Sequence, residues 1–188
     1  MRVIARGRTD IDAIIRALHT DARLSVRADP SRFGLVGHSL GGYTALGLAG
    51  AWPDWKLDGV RAVLALSPYS QPFIVRQTLA GIAVPVMYQG GSRDFGITPA
   101  LRKNSGAYEQ SRSAKYYVEF QNAGHFAWTD LSAVDHEAIA AYAIAFMNHY
   151  VKGASADPLL TRATADVAEL RFASELGASD AGGSSTSR

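Results

Sequence analysis

The sequence lacks cysteine, a strong net charge and any long apolar run, and each absence excludes a class of protein. Without cysteine there are no disulfide bonds and no thiolate-bound metals, and redox chemistry gives no clue to the compartment. The 19 basic and 17 acidic residues leave a formal net charge of +2, too small to indicate nucleic-acid binding. No apolar stretch approaches the roughly 20 residues of a membrane span, and residues 1–7 lack the apolar core of a signal peptide. The compartment stays open, with the cytoplasm slightly favoured.

What is present indicates one globular domain with an α/β architecture. The chain has 188 residues, of which 47% are hydrophobic, enough for a substantial core. Glycine, serine and alanine dominate residues 177–188, which is typical of a disordered tail. Short apolar runs predict four strands, at residues 33–36, 59–66, 84–88 and 115–120.

Helix-length segments lie around these strands. Thr9 or Asp10 is a candidate N-cap for a first helix, and Thr98 for a helix that runs to about residue 110. Another helix is predicted over residues 72–81, and Ser132 is the candidate cap of a long helix to about residue 151. A last amphipathic helix is predicted from Asp157-Pro158 onward, with Leu160, Ala163, Val167 and Leu170 on its apolar face. Strands that alternate with helices imply a three-layer sandwich with a mainly parallel sheet.

Residues 33–43 combine an apolar run, the sequence Gly37-His38-Ser39-Leu40-Gly41 and a following stretch of small residues. This pattern is typical of a nucleophile elbow, in which a strand turns sharply into a helix with a serine at the turn. The flanking glycines remove Cβ atoms that would collide across so tight a bend. We therefore interpret Ser39 as a nucleophile, near the positive end of the following helix dipole.

A serine nucleophile needs a base, and His125 is the candidate among the five histidines. His125 follows a predicted strand and Gly124, and ligands bind at the carboxyl ends of strands in open α/β sheets. His38 lies inside the elbow, and we expect its side chain to point away from Ser39. The remaining histidines fall in predicted helices.

Asp94 is the candidate for the acid that orients this base. In a sheet with a nucleophile elbow the chain order is serine, acid, histidine, so the acid lies between positions 39 and 125. Among the acids in that interval, Asp94 alone sits just past the carboxyl end of a predicted strand. The loop after the second strand, residues 67–71, contains no acid.

The elbow, the Asp94 loop and the tract Gly124-His125-Phe126 together resemble the α/β-hydrolase superfamily. They are most similar to dienelactone-hydrolase-like and platelet-activating-factor-acetylhydrolase-like esterases, with cutinase-like polyester hydrolases as near neighbours. The resemblance covers about residues 9–152. It implies a serine ester hydrolase that needs no metal and no organic cofactor.

The resemblance also implies a truncated fold. Full-length members carry several strands before the helix predicted near Asp10, so residues 1–176 are expected to form a single truncated catalytic domain. The backbone N–H of Leu40 is one expected oxyanion-hole donor, and the second donor has no visible source in this sequence. The elbow strand is expected at a sheet edge, which favours pairing with another chain and hence a homo-oligomer.

The predicted activity is hydrolysis of a small-molecule ester through an acyl-enzyme. Because residues 67–83 are too short for a large cap domain, we expect an open site for short-chain or aryl esters. Aromatic residues in or near the strand-end loops are candidates for lining the acyl pocket, although packing in the core is equally consistent. These residues are Tyr69, Phe95, Phe126 and Trp128.

Other interpretations share the same residues. The chain could be a weakly active or inactive remnant that acts as a binding or interaction module, or a second copy could complete the fold. Lactonase, acyltransferase, polyesterase or peptidase activity would use the same three side chains. The sequence does not distinguish among these uses.

Overall fold

A computed structural model describes residues 2–25, 29, 31–112, 114–132 and 136–173. The described strands are β1 (Phe33–His38), β2 (Val60–Leu66), β3 (Val86–Gly91), β4 (Lys115–Phe120) and β5 (Val167–Ala173). The described α-helices are α1 (Arg2–Thr20), α2 (Ala22–Ser25), α3 (Leu40–Leu46), α4 (Gln71–Arg76), α5 (Thr98–Arg102), α6 (Ala107–Gln110) and α7 (His136–Tyr150). A π-helical segment, Gly47–Ala51, continues α3, and single 3-10 turns occur at Pro53–Trp55, Leu79–Gly81 and Pro158–Leu160.

The described strands form a five-stranded sheet in the order β1-β2-β3-β4-β5. The first four strands are parallel, and β5 runs antiparallel to β4. This arrangement confirms the predicted α/β class with a mainly parallel sheet. Since all four parallel strands point the same way, the loops that follow them lie together at the carboxyl ends of the strands.

Helices cover both faces of the sheet, which gives two apolar cores. On one face, side chains from the sheet such as Val63 and Tyr88 pack with residues of α3, α4 and α6. On the other, Leu64, Met87 and Tyr116 pack with residues of α7. Strands buried on both faces read as nearly continuous apolar runs, which is why their positions could be predicted. The predicted α7 core residues Ile139, Tyr142 and Phe146 are all buried.

The C-terminal segment is not the amphipathic helix that its apolar spacing predicts. Only a 3-10 turn forms at Pro158–Leu160, and residues 167–173 form strand β5. In β5, Leu170 pairs with Val118 and Phe172 with Tyr116 on β4. The helical prediction is wrong because the open edge of β4 offers backbone hydrogen bonds that a local periodicity cannot register.

Several predicted helix boundaries are also wrong. Helix α1 begins at Arg2, so neither Thr9 nor Asp10 caps it. The helix predicted from Thr98 is two helices, because Lys103 is extended and the positive φ of 58° at Ser105 ends the helical path. Strand β3 continues through Gly91, three residues beyond its predicted end.

The helix predicted over residues 72–81 ends at Arg76, since Gln77 adopts a left-handed conformation. The cap predicted at Ser132 concerns residues 133–135, which lie outside the described residues, as does the predicted tail over 177–188.

Strand β1 lies at one edge of the described sheet, as predicted for the elbow strand. Its residues carry no formal charge and include no proline. Among the described helices, none combines the length and the apolar character needed to cross a bilayer.

Candidate active site

The turn at Ser39 has the strained geometry of a nucleophile elbow. Ser39 lies between β1 and α3 with φ 53° and ψ −114°, a conformation that L-residues rarely adopt. A Cβ atom on Gly37 would lie 2.2 Å from the carbonyl oxygen of Gly41, so no larger residue fits there. The Ser39 N–H donates to the Leu66 carbonyl at 3.0 Å, and the Tyr69 N–H donates to the Ser39 carbonyl at 3.1 Å. The sheet and the loop after β2 therefore hold the turn on both sides.

The structure brings the three predicted residues together from three strand ends. Ser39 follows β1, Asp94 follows β3 and His125 follows β4. The Ser39 Oγ lies 3.0 Å from His125 Nε2, and His125 Nδ1 lies 3.1 Å from Asp94 Oδ2. Because the Asp94 carboxylate only accepts hydrogen bonds, Nδ1 carries the proton and Nε2 is left to accept from Ser39. Asp94 is 4% exposed, so solvent hardly competes for its carboxylate.

Ser67 is a fourth member of this cluster that the sequence interpretation missed. It follows β2 directly, is fully buried and has φ 40°. Its hydroxyl donates to Asp94 Oδ2 and lies 3.0 Å from His125 Nδ1. Residues 67–71 contain no acid, so the sequence criterion for the orienting group passes over this loop. The sequence signal for Ser67 is its hydroxyl group directly after β2, at the same end of the sheet as Ser39 and Asp94.

His38 contacts the loop of the candidate base. Its Nε2 donates to the backbone carbonyl of His125 at 2.7 Å, which fixes the tautomer of the His38 ring because a carbonyl only accepts. The two histidine rings lie 4.9 Å apart, and the Trp128 ring stacks on the His38 ring with the ring centres 6.0 Å apart. From the sequence we expect only that His38 points away from Ser39, and its hydrogen bond to the His125 carbonyl is not predicted. His38 joins the elbow to the segment that carries the base.

Trp128 is hydrogen-bonded to the interior of the sheet, and its role in lining the pocket stays a prediction. Its indole N–H donates to the side-chain oxygen of Gln89 at 2.9 Å. Gln89 is fully buried on β3 and donates in turn to the Ile139 carbonyl of α7 at 3.3 Å. The buried Gln89 amide thus holds the Trp128 ring in its stacked position on His38.

The other candidate pocket residues have exposed side chains. Phe95 is 81% exposed, Phe126 55% and Tyr69 38%. The Phe126 ring lies 5.3 Å from the His125 ring, and the Tyr69 ring packs against Tyr43 at 6.2 Å. These three side chains and the exposed side chain of Leu40 each lie within two positions of a site residue in the sequence, and we call this set the aromatic rim.

A second buried carboxylate lies elsewhere on the sheet. Glu119 in β4 is 3% exposed and accepts from Arg102 at 3.1 Å on each carboxylate oxygen. The Tyr117 hydroxyl donates to the same carboxylate. Burial is the main cause that raises the pKa of Tyr117, and the hydrogen bond to Glu119 raises it further. We call these three residues the Glu119 cluster.

Within the part of the chain that the structure describes, no group of three or more His, Asp or Glu side chains is arranged to hold a metal ion.

Comparisons with known proteins identify relatives of this chain. A sequence model of the PETase family, described as PET hydrolase-like, matches residues 5–159. Among curated proteins, "Cutinase est1" of Thermobifida alba is 31% identical over 145 residues, which are 75% of this chain and 44% of the relative. "Cutinase 2" of Thermobifida cellulosilytica is 28% identical over 75% of this chain and 50% of the relative. For "Cutinase cut1" of Thermobifida fusca the identity is 28%, over 75% of this chain and 41% of the relative.

The chain thus spans about half the length of the curated relatives that it matches, at 44% and 50% of the first two. The family match, by contrast, runs from α1 through the elbow, the Asp94 loop, the His125 loop and α7. Because that match covers well over half of the sequence, the chain belongs to the PETase, or PET hydrolase-like, family of α/β-hydrolases.

Proposed function

We propose that residues 1–176 form one catalytic domain that hydrolyses carboxylic esters through an acyl-enzyme on Ser39. The observation that supports this most strongly is the continuous line of hydrogen bonds from Ser39 Oγ to His125 Nε2 at 3.0 Å and from Nδ1 to Asp94 at 3.1 Å. A hydroxyl, a titratable base and a buried carboxylate in this order are what nucleophilic catalysis by serine requires.

In the acylation step, Ser39 Oγ attacks the ester carbonyl carbon while His125 Nε2 takes the hydroxyl proton. The Asp94 carboxylate then faces an imidazolium and stabilises its charge. The tetrahedral intermediate carries an oxyanion, which accepts a hydrogen bond from the N–H of Leu40 at the start of α3. When the intermediate collapses, the carbon–oxygen bond to the alcohol breaks, and His125 returns the proton to that alcohol.

In the deacylation step, water replaces the alcohol. His125 Nε2 takes a proton from the water, whose oxygen attacks the acyl carbonyl, and the acid leaves as Ser39 recovers its proton. His125 has 28% of its side chain exposed, so water can reach the base once the alcohol has left.

The substrate class we propose is short-chain or aryl esters, including aromatic polyesters. The aromatic rim offers exposed rings, and its Phe126 ring contacts His125, so a planar aryl group can stack there. The relatives that carry the name cutinase and the PET hydrolase-like description of the family favour the same class.

The experiment that tests this function is an ester chain-length series with p-nitrophenyl acetate, butyrate and octanoate. We expect measurable hydrolysis by the wild type, highest for the short esters, and a loss of about 10⁴-fold or more in Ser39→Ala. Ser31→Ala, a serine just before β1 at the opposite end of the strand, is the matched control and should keep full activity. Undiminished hydrolysis by Ser39→Ala would refute the proposal.

We also propose that the chain associates as a homo-oligomer through β1. In a parallel strand, the backbone groups of alternate residues point away from the neighbouring strand. The β1 edge also lacks the charges and prolines that protect such edges. Light scattering on the wild type and on Val36→Lys, which charges a position that is 57% exposed, tests this. A wild type that is monomeric at all concentrations contradicts it.

A further inference from the structure

Ser67 occupies a position that the proposed chemistry does not yet use. Its N–H donates to the Gln89 carbonyl at 2.8 Å, which extends the pairing of β2 with β3 by one residue and fixes the backbone. Its φ of 40° lies in the left-handed region that favours glycine. A serine held in this conformation and wholly excluded from solvent is therefore costly as a turn residue alone.

The geometry assigns the hydrogen of the Ser67 hydroxyl. The Asp94 carboxylate is an acceptor only, so the contact between Ser67 Oγ and Asp94 Oδ2 uses the serine hydrogen. A lone pair of Oγ is then free to face His125 Nδ1, which lies 3.0 Å away. The Nδ1–H of His125 consequently has two acceptors, Asp94 Oδ2 at 3.1 Å and Ser67 Oγ.

We propose that Ser67 is a positioning residue of the active site, which holds the Asp94 carboxylate and the His125 ring in register for proton transfer. This inference rests on the proposed ester hydrolysis at Ser39. When His125 takes the Ser39 proton, the N–H of the resulting imidazolium is shared between Asp94 and Ser67. Ser67 keeps its own proton throughout, so it contributes orientation and charge balance but no bond to substrate.

Burial makes this hydroxyl hard to replace. Ser67 is 0% exposed and Asp94 4%, so bulk water cannot take over the donor that the carboxylate would lose. With one donor fewer, the carboxylate charge acts on His125 alone and favours the imidazolium over the neutral ring. The described titratable groups in contact with His125 are Asp94 and His38, and Asp94 is the one to which Ser67 donates.

The test compares Ser67→Ala and Ser67→Gly with the wild type on p-nitrophenyl butyrate across pH 5 to 9. Both variants lose the hydroxyl, but glycine also relieves the positive φ. We expect kcat to fall by about 10- to 100-fold in both, with KM changed less than about twofold. We expect the acid limb of kcat/KM to move to higher pH by about half a unit or more.

Ser92→Ala is the matched control. Ser92 also lies in the loop after β3, and its Oγ accepts from the Asn122 N–H at 2.9 Å, so it joins the Asp94 loop to the segment after β4 without touching the site. We expect its kcat to stay within about twofold of the wild type and its acid limb to stay unmoved. Thermal unfolding of each variant checks that the fold persists at the assay temperature.

The outcomes separate this inference from the function on which it rests. If the wild type neither hydrolyses esters nor reacts at Ser39 with a fluorophosphonate, the proposed function fails. If the wild type does both, but either Ser67 variant retains wild-type kcat and the wild-type acid limb, the role of the hydroxyl is overturned. Normal activity in Ser67→Gly together with loss in Ser67→Ala would assign the effect to the backbone and likewise overturn it.

Discussion

Two buried carboxylates, Asp94 and Glu119, are bound in nearly the same way and differ in what their partners can do. Each is less than 5% exposed, and each accepts from one hydroxyl group and from one basic side chain. Glu119 faces Arg102, which stays protonated at every accessible pH. Asp94 faces His125, whose second nitrogen lies 3.0 Å from a serine hydroxyl. A buried carboxylate therefore does not by itself indicate catalysis, whereas a carboxylate paired with a base that can take a proton from a nucleophile does.

Their places along the strands explain this difference. Asp94 lies beyond the end of β3, in the row of loops that ligands can reach. Glu119 lies within β4, directly opposite Gly90 on β3 and Glu169 on β5. Two acids opposite each other on antiparallel strands repel, and Arg102 and Arg171 bind one carboxylate each. The Glu119 cluster thus stabilises the sheet. Its cationic partner, Arg102, cannot accept a proton from a nucleophile.

The largest expected effect is the loss of activity in Asp94→Asn. The amide has the shape of the carboxylate but cannot stabilise the imidazolium, and it favours the wrong tautomer of His125. We expect kcat to fall by about 10⁴-fold, with the free energy of unfolding changed far less. Steady-state kinetics and urea unfolding on the same preparation measure both quantities. A kcat within tenfold of the wild type would show that Asp94 is not the orienting acid.

Glu119→Gln should show the opposite behaviour. Removing the charge leaves Arg102 without its partner and weakens the hydrogen bond from Tyr117. We expect the free energy of unfolding to fall by about 1–3 kcal/mol and kcat to stay within a few fold. Urea unfolding and ester hydrolysis test this pair of outcomes. An equal loss of activity in Glu119→Gln and Asp94→Asn would erase the contrast between the two carboxylates.

His38→Ala should reduce activity by a smaller amount. It removes the hydrogen bond to the His125 carbonyl, so the loop that carries His125 is no longer bonded to the elbow. We expect kcat to fall about tenfold with little change in KM. His149→Ala is the matched control, because His149 also bonds a backbone carbonyl, that of Ala154 at 2.8 Å, but at the far end of α7. Equal activity in the two variants would contradict a role for His38.

The smallest effect concerns alkaline stability. Burial raises the pKa of Tyr117 in the folded protein, whereas the unfolded chain has the ordinary value of about 10. Above about pH 10 the unfolded state therefore binds fewer protons than the folded state, and the free energy of unfolding falls as pH rises.

In Tyr117→Phe that decline should be shallower, by at most about 1.4 kcal/mol per pH unit. Urea unfolding at pH 9 to 11.5 measures the slope. Tyr88→Phe is the comparison, because burial also raises the pKa of Tyr88 but its hydroxyl pairs with Ser111 instead of a carboxylate. It should flatten the slope similarly while leaving the Glu119 cluster intact, and an unchanged slope in both variants would contradict the assignment.

The sequence predicted those parts of the molecule that depend on local rules. The elbow is specified by the glycines around Ser39, and the parallel strands by apolar runs that are buried on both faces. The positions of the strand ends and the chain order then indicate Asp94 and His125 as partners of Ser39, although the sequence gives no distances. Those selections concern placement only, and their catalytic roles remain predictions.

The missed features depend on neighbours that are distant in sequence. Strand β5 exists because β4 has an open edge, and the helical spacing of Leu160, Val167 and Leu170 gives no sign of that edge. Ser67 bonds a carboxylate 27 residues away, and His38 bonds a carbonyl 87 residues away. A single serine or histidine in a loop has many uses, and only the packed sheet shows which contact it makes.

The four residues of the candidate site, His125 included, each follow one of four consecutive strands, which ties the proposed function to the assembly of the sheet. The separations are 27 residues from Ser67 to Asp94, 31 from Asp94 to His125 and 86 from Ser39 to His125. No single hairpin or βα unit contains the site, so the proposed ester hydrolysis requires all three parallel pairings, and pairings between residues distant in sequence form slowly. Recovery of activity after dilution from denaturant should therefore lag behind the return of helical circular dichroism. The return of activity would in this way show that the whole sheet has assembled.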